Sequence, residues 1–217
     1  MLLSKLLIPF TALFVIVVAS QSLATPVAPA STARSEAERL VEQMRGFSMQ
    51  PVAMGRSDGT IDPREQRREE IEDKLRQLGK ESVPALVQAL NDPDAQMRRN
   101  VELVMIALAG PYDAKTQVDI REALPALIKA TADSDTVVRA WAAHAIAEIG
   151  PNAKDAVPAL VKLLKDSDEG PRNTSCIALG RIGPAAKDAL PALRKALNDP
   201  SKDVRRFAEI AIQKIEK

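Results

Sequence analysis

The stretch "DSDTVVRAWAAHAIAEIGPNAKDAVPAL" runs from Asp133 to Leu160, and "DSDEGPRNTSCIALGRIGPAAKDALPAL" follows it from Asp166 to Leu193. The second stretch begins thirty-three residues after the first and repeats its pattern, with Asp, Arg, Gly and Pro at matching places. A period of this length indicates stacked supersecondary units, each of which contacts its neighbours along the chain. The sequence therefore predicts a repeat protein.

The repeat can be counted on the tripeptide "PAL", which places units near Pro84, Pro125, Pro158 and Pro191. We number each unit from its proline, so that "plus 8" is the eighth residue after it. Every unit carries Asp at plus 8, a helix-capping residue at plus 10 and Arg at plus 14. This order predicts a helix A that has the proline in its first turn, a tight turn, and a capped helix B. Gly followed by Pro ends helix B in the first three units.

Helix B carries apolar or small residues at plus 13, 17, 20, 21 and 24, the period of a buried helix face. We therefore predict an all-α protein, an α-solenoid of about four to five stacked hairpins in an armadillo-type superhelix. The repeat domain spans residues 61–217. It starts with a charged capping helix between Asp62 and Gly79, whose apolar stripe is Ile71, Leu75 and Leu78. The eight extra residues of the first unit are expected to lengthen the next helix A or its leading loop.

The segment "DSDTVVRAWAAHAIAEIGPNAKDAVPALVKLL" resembles the HEAT-like repeat of the phycobilisome-lyase type, and the resemblance covers Pro84 to Lys217. It implies that the Asp at plus 8 and the Arg at plus 14 form a structural ladder between adjacent turns and units. The ladder residues are Asp92, Arg98, Asp133, Arg139, Asp166, Arg172, Asp199 and Arg205.

The N-terminus has the layout of a secretory signal peptide over residues 1–24: Lys5, an apolar run, and small residues around Ser22 and Ala24. It predicts export to the periplasm or the extracellular space, with cleavage before Thr25. The alternative is an uncleaved N-terminal membrane anchor. Residues 25–60 are expected to form a linker with a short helix within "SEAERLVEQMRG".

Composition argues against several functions. Lys and Arg number 30 and Asp and Glu 29, so no basic excess indicates a nucleic-acid partner. The resemblance in fold implies three candidate enzymes: a bilin lyase, a deoxyhypusine hydroxylase and a DNA glycosylase. The second holds two irons through His-Glu pairs, whereas this chain has one His and no such pair. We expect no enzyme activity, no metal and no cofactor. The alternative is a lyase- or hydroxylase-like enzyme or an enzyme accessory subunit.

The plus 16 and plus 19 columns of helix B lie off the predicted core, yet they carry apolar and aromatic residues. On the concave face of a solenoid they would form a binding stripe for another protein, bordered by basic residues. The alternative is that neighbouring units bury them. The stripe residues are Leu103, Trp141, His144, Ile177, Phe207 and Ile210, with Arg181 and Lys214 on the border.

The single cysteine, Cys176, has two interpretations. It is a buried small residue, since a free Cys packs like a small hydrophobe. Otherwise it is a reactive thiol or forms an intermolecular disulfide, with a pKa lowered by a place near the start of helix B.

Overall fold

Helical hairpins make up this protein, whose computed structural model describes residues 30–45, 63–110 and 117–217. Within those ranges all regular structure is α-helix or short 3-10 helix, which confirms the predicted all-α class. The helices are α1 (Ala30–Glu42), α2 (Pro63–Leu78), α3 (Val83–Ala89), α4 (Ala95–Ala109), α5 (Leu124–Ala130), α6 (Thr136–Ile149), α7 (Val157–Leu163), α8 (Glu169–Ile182), α9 (Leu190–Ala196) and α10 (Lys202–Ile215).

Each of the four units is a short helix A followed by a long helix B. Helices α3, α5, α7 and α9 are the A helices, and each contacts its own B helix, α4, α6, α8 or α10. The B helices also contact one another in order along the chain. Small residues allow a close approach: a Cβ added at Gly180 of α8 would lie 3.1 Å from the Cα of Ala211 in α10.

Local sequence signals set the helix ends. The repeated proline lies in the first turn of each A helix, where no backbone N–H donor is needed. Gly150 and Gly183 follow α6 and α8 with φ of 65° and 69°, a backbone conformation that a residue with a Cβ rarely adopts. A 3-10 turn with Pro then leads into the next A helix.

The capping residues at plus 10 act as predicted in three of the four units. Asp94, Asp135 and Ser201 accept hydrogen bonds from backbone N–H groups of the first turn of helix B. Asp168 makes no such bond, so the prediction was wrong for that unit. The Asp168 carboxylate lies instead 3.2 Å from Arg139 Nη2.

The predicted core columns of helix B are buried, except that Ile212 at plus 21 of the fourth unit is half-buried. All residues at plus 17 and plus 20 are fully buried or nearly so. A further column, plus 18, is also buried in the first three units, which the amphipathic pattern did not predict. Its residues are Glu102, Ala143 and Cys176, each 0% exposed.

The short helix predicted within residues 35–46 is present as α1, but it begins earlier than predicted and packs on the main core. Helix α1 begins at Ala30, inside the stretch expected to be a linker, because Ala37, Leu40 and Met44 bury their side chains in the main core. Helix α2 matches the predicted capping helix and buries Ile71 and Leu75. The signal peptide and most of the linker prediction lie outside the described residues.

The insertion between the first two units does not lengthen helix A, since α5 has seven residues like the other A helices. Its described end packs on α4: Val118 N–H donates to Leu108 O at 2.9 Å, and Ile120 is buried. Of the two predicted alternatives, the structure therefore agrees with a longer segment before helix A and not with a longer helix A. In the described ranges, no helix has the length and apolar character needed to span a membrane.

Candidate binding wall

The B helices form a layer with one face open. The contact between Gly180 at plus 22 and Ala211 at plus 20 shows which sides of a B helix meet its neighbours. At 100° per residue, plus 16, 19 and 23 fall between these two contact sides and away from helix A. We call the side chains at these positions the wall stripe. In stacked repeats such a layer lines an extended binding surface.

The structure leaves most of the wall stripe accessible to solvent. Ile210, Arg181 and Lys214 are exposed, and Ile210 retains 37% of its surface. The other predicted members are half-buried: Leu103, Trp141, His144, Ile177 and Phe207. Trp141 is not among the side chains that pack on the main core, whereas Leu103, Ile177 and Phe207 have one side against it.

One end of the stripe is covered by the segment that follows α1. At plus 16 of the first unit, Asn100 is buried and its Nδ2 donates to Met44 O at 2.9 Å. Leu103 is therefore the member that the first unit contributes, and it is half-buried. The open part of the stripe lies on α6, α8 and α10.

A polar bridge crosses the middle of the stripe from α6 to α8. Glu148 Oε1 lies 2.6 Å from Arg181 Nη1 and 3.4 Å from His144 Nε2. The side chain of Glu148 is 8% exposed, against 42% for His144 and 40% for Arg181. Partial burial, with the nearby Arg181 charge, lowers the pKa of His144 below its ordinary value. The imidazole is therefore neutral at pH 7, and the carboxylate already has a cationic partner.

Basic groups border the apolar members near α10. Arg206 places its guanidinium carbon 4.7 Å from the ring centroid of Phe207, within the range of a cation–π contact. Lys214 is exposed one turn beyond Ile210. The open part of the stripe thus combines apolar surface with the cations Arg181, Arg206 and Lys214.

The ladder residues meet across every junction between units. Arg98, Arg139 and Arg172 each place Nε and Nη2 within 3.1 Å of the two carboxylate oxygens of the Asp in the next unit. The hydrogen bonds from Arg139 hold the pKa of Asp166 below its ordinary range. At the first unit, Asp92 is bound by Arg45, which follows α1, at 2.7 Å. Sequence reasoning missed Arg45 because it lies outside the repeat.

The described residues contain no grouping of His, Cys, Asp and Glu side chains able to hold a metal ion. Cys176 lies in the middle of α8 and not near its start, so the predicted lowering of its pKa was wrong. Burial raises the pKa of the thiol to about 12. Cys176 is 0% exposed, which agrees with its interpretation as a buried small residue.

Comparison with known proteins identifies the repeat. A family model of HEAT repeats matches residues 83–154 and 124–213. No curated protein matches the chain.

Solved structures share its fold. The complex of CpcE and CpcF of phycocyanin lyase from Nostoc sp. PCC7120 is 19% identical, with a TM-score of 0.61 over 82% of this chain and 98% of that one. An engineered protein is 23% identical, with a TM-score of 0.55 over 88% and 85% of the two chains. Computationally designed armadillo repeat proteins for modular peptide recognition are 23% identical, with a TM-score of 0.55 over 82% and 86%.

Proposed function

We propose that this chain, which belongs to the HEAT-repeat family, is a non-catalytic scaffold that binds another protein along its wall stripe. One observation carries the proposal: three consecutive B helices present Trp141, Ile177 and Ile210 at positions that helix packing does not bury completely. Apolar side chains that line up across several units on one open face form the kind of patch that marks a binding surface. Tryptophan is also a frequent anchor in protein interfaces.

The charges of the stripe indicate the chemistry of the partner. Glu148 is held by Arg181, so the accessible charges around the apolar members are mainly positive. A partner segment with apolar side chains next to Asp or Glu would match this pattern in both respects. The designed armadillo proteins of similar fold, described as made for modular peptide recognition, are consistent with a linear segment as the ligand.

A site-specific crosslink tests whether the wall is the contact surface. A photo-crosslinking amino acid in place of His144 should capture a partner from the native cell envelope. The same group in place of Lys162, which is exposed on the A helix α7, is the matched control. Equal capture from both positions would refute the placement.

The captured partner then allows a measurement of affinity. Trp141→Ala should weaken binding by about 2 kcal/mol, roughly 30-fold in Kd, as central aromatic anchors do. The melting temperature should change little. If Trp141 is a core residue instead, the variant should lose about 3–5 kcal/mol of stability, with binding lost as a consequence. Lys162→Ala should alter neither quantity.

The likeness to the phycocyanin lyase complex favours a second candidate, an accessory subunit of an enzyme. A chromophore or other cofactor that stays with the purified protein would support this candidate over a simple scaffold.

We further propose that the scaffold acts outside the cytoplasm, on the signal-peptide pattern around Lys5 and Ala24. N-terminal sequencing of the native protein should find Thr25 or a residue within a few positions of it. An intact Met1 on a cytoplasmic pool would contradict export, and an intact Met1 in the membrane fraction would indicate the uncleaved anchor.

A further inference from the structure

The ladder shows how this fold binds a carboxylate at the edge of a unit. In the third unit, Arg172 Nη1 donates to two carbonyls of its own turn, Asp166 O and Ser167 O, both at 2.9 Å. These bonds fix the plane of the guanidinium. Its Nε and Nη2 then point at the next unit and bind the two oxygens of Asp199, at 2.8 and 3.1 Å.

Arg205 has the first half of this arrangement without the second. Its Nη1 donates to Asp199 O at 2.6 Å and Pro200 O at 2.9 Å, so the guanidinium is fixed like the other three. Its Nε and Nη2 have no hydrogen-bond partner among the described residues. An arginine fork held in place with two free parallel donors matches the geometry of a carboxylate.

Apolar surface lies beside this fork. In the first unit, Leu90 at plus 6, Arg98 and the bound Asp133 line one cleft, so the leucine flanks the carboxylate site. Leu90 and Leu164 are 6% and 7% exposed at this column. Leu197, the counterpart in the fourth unit, is 39% exposed. Leu197 and Arg205 therefore correspond to Leu90 and Arg98, which contact the next unit, but Leu197 is not covered.

The rest of the same face does not fit another stacked repeat. At plus 18 and plus 22, α8 has the buried residues Cys176 and Gly180, which allow α10 to approach closely. Helix α10 has Glu209 and Gln213 at these columns, and both are exposed. Stacking a further B helix there would bury the amide of Gln213, in a column where the other units have Ile106, Ala147 and Gly180, and that is unfavourable without partners. This face is therefore polar along helix B, whereas at the turn Leu197 is exposed and Arg205 is half-buried.

We infer that Arg205 and Leu197 form a second contact surface, distinct from the wall stripe, for a partner protein segment that presents an Asp or Glu carboxylate beside an apolar side chain. The carboxylate would accept both free donors of Arg205, as Asp199 does from Arg172. The apolar side chain would cover Leu197, as the next unit covers Leu164.

Peptides taken from the internal turn provide the probe. The acetylated, amidated peptide Ala-Leu-Asn-Asp-Pro-Ser copies the turn that carries the ladder aspartate. The full ¹⁵N-labelled chain is titrated with it, and the guanidinium Nε–H resonance of Arg205 is followed by NMR. We expect a saturable shift, with a Kd at least about 5-fold tighter than for the peptide with Asn in place of Asp. Arg205→Lys identifies the resonance and should weaken binding, because an ammonium lacks the fork.

Two further variants separate this surface from the wall stripe. Leu197→Ala should weaken the peptide Kd severalfold, whereas Trp141→Ala should leave it unchanged. An Arg205 resonance that does not move, or that moves equally with the Asp and Asn peptides, would overturn the inference. If acetate alone produced the same shift at the same concentration, the proposed apolar contact with Leu197 would be overturned.

Discussion

Arg139 and Asp166 form a bidentate ion pair that joins helix B of one unit to the turn of the next, with N–O distances of 2.7 and 2.9 Å. Their side chains are only 14% and 11% exposed. The same Arg139 also donates to Asp133 O at 3.0 Å, in its own turn. One side chain therefore links two turns of adjacent units.

Loss of this pair should destabilise the array. Arg139→Ala leaves a mostly buried carboxylate without its cation, and we expect a loss of about 2–3 kcal/mol in the free energy of unfolding by urea. Arg205→Ala is the matched control, because it removes the same bonds to its own turn but no ion pair. Arg205→Ala should lower the free energy of unfolding by about 1 kcal/mol. Arg121→Ala, at an exposed position, should change it by no more than about 0.5 kcal/mol. Equal losses for Arg139 and Arg205 would show that the ion pair contributes nothing.

A buried acid in the first junction should make stability depend on pH. Glu102 is 0% exposed, neither of its oxygens has a hydrogen-bond partner among the described residues, and burial raises its pKa well above the ordinary value. Below the unfolded pKa, near 4.5, the group is neutral in both states. As the pH rises above that value, ionisation in the unfolded chain destabilises the fold by up to about 1.4 kcal/mol per pH unit, until the folded group ionises too.

We therefore expect Glu102→Gln to melt at a higher temperature than the unchanged protein, by a margin that grows as the pH rises above 5 and disappears near pH 4. Glu209→Gln is the control, since Glu209 occupies the same column and is exposed. Its melting series shows how much of the effect comes from losing a carboxylate at this column without burial. A Glu102→Gln margin that is independent of pH would contradict a raised pKa.

Two glycines of α8 should respond in opposite directions to alanine. At Gly180 the new Cβ would lie 3.1 Å from Ala211 Cα and 3.3 Å from its Cβ, so α8 and α10 must separate. We expect a net loss of about 1–2 kcal/mol, despite a gain of about 1 kcal/mol in helix propensity. At Gly170 the nearest atom is Ala140 Cβ at 3.9 Å, an ordinary contact. Gly170→Ala should raise the melting temperature, and a rise for Gly180→Ala would refute close packing.

Cys176 should be chemically inert in the folded protein. Burial excludes reagents and raises the pKa of the thiol to about 12. Reaction with a disulfide reagent at pH 8 should be at least about 100-fold slower in the native chain than in denaturant, because both access and thiolate are lacking. A native rate near the denatured rate would indicate that α8 and α10 separate readily.

The repeat columns allowed much of this fold to be predicted, because helix A, the turn and helix B each have a local signal. The period of 3.6 identified the side of helix B that faces helix A. It missed the plus 18 column, since a B helix in a stack is also buried on the sides that face its neighbours. Glu102 and Cys176 belong to those sides, where a polar residue gives no hydrophobic signal.

The candidate site was predicted less completely. Spacing placed Trp141 and His144 on one face, but their degree of exposure depends on distances between helices that a single sequence does not contain. The start of α1 was missed because its Ala-, Ser- and Thr-rich sequence has the composition of a linker. Only tertiary contacts, such as the burial of Ala37 and Leu40 in the main core, make it part of the array.

The contact between Asn100 and Met44 also limits the length of the wall stripe that a ligand could contact. Because it occupies the first unit, the usable surface spans α6 to α10, two helix spacings of about 10 Å each, or roughly 20 Å. An extended chain covers that distance with about six residues. Alternate residues of such a chain lie roughly 7 Å apart, so two or three of its side chains would face the helices. For the partner proposed above, this footprint is that of a short linear motif, which a disordered tail or loop can supply without a folded domain.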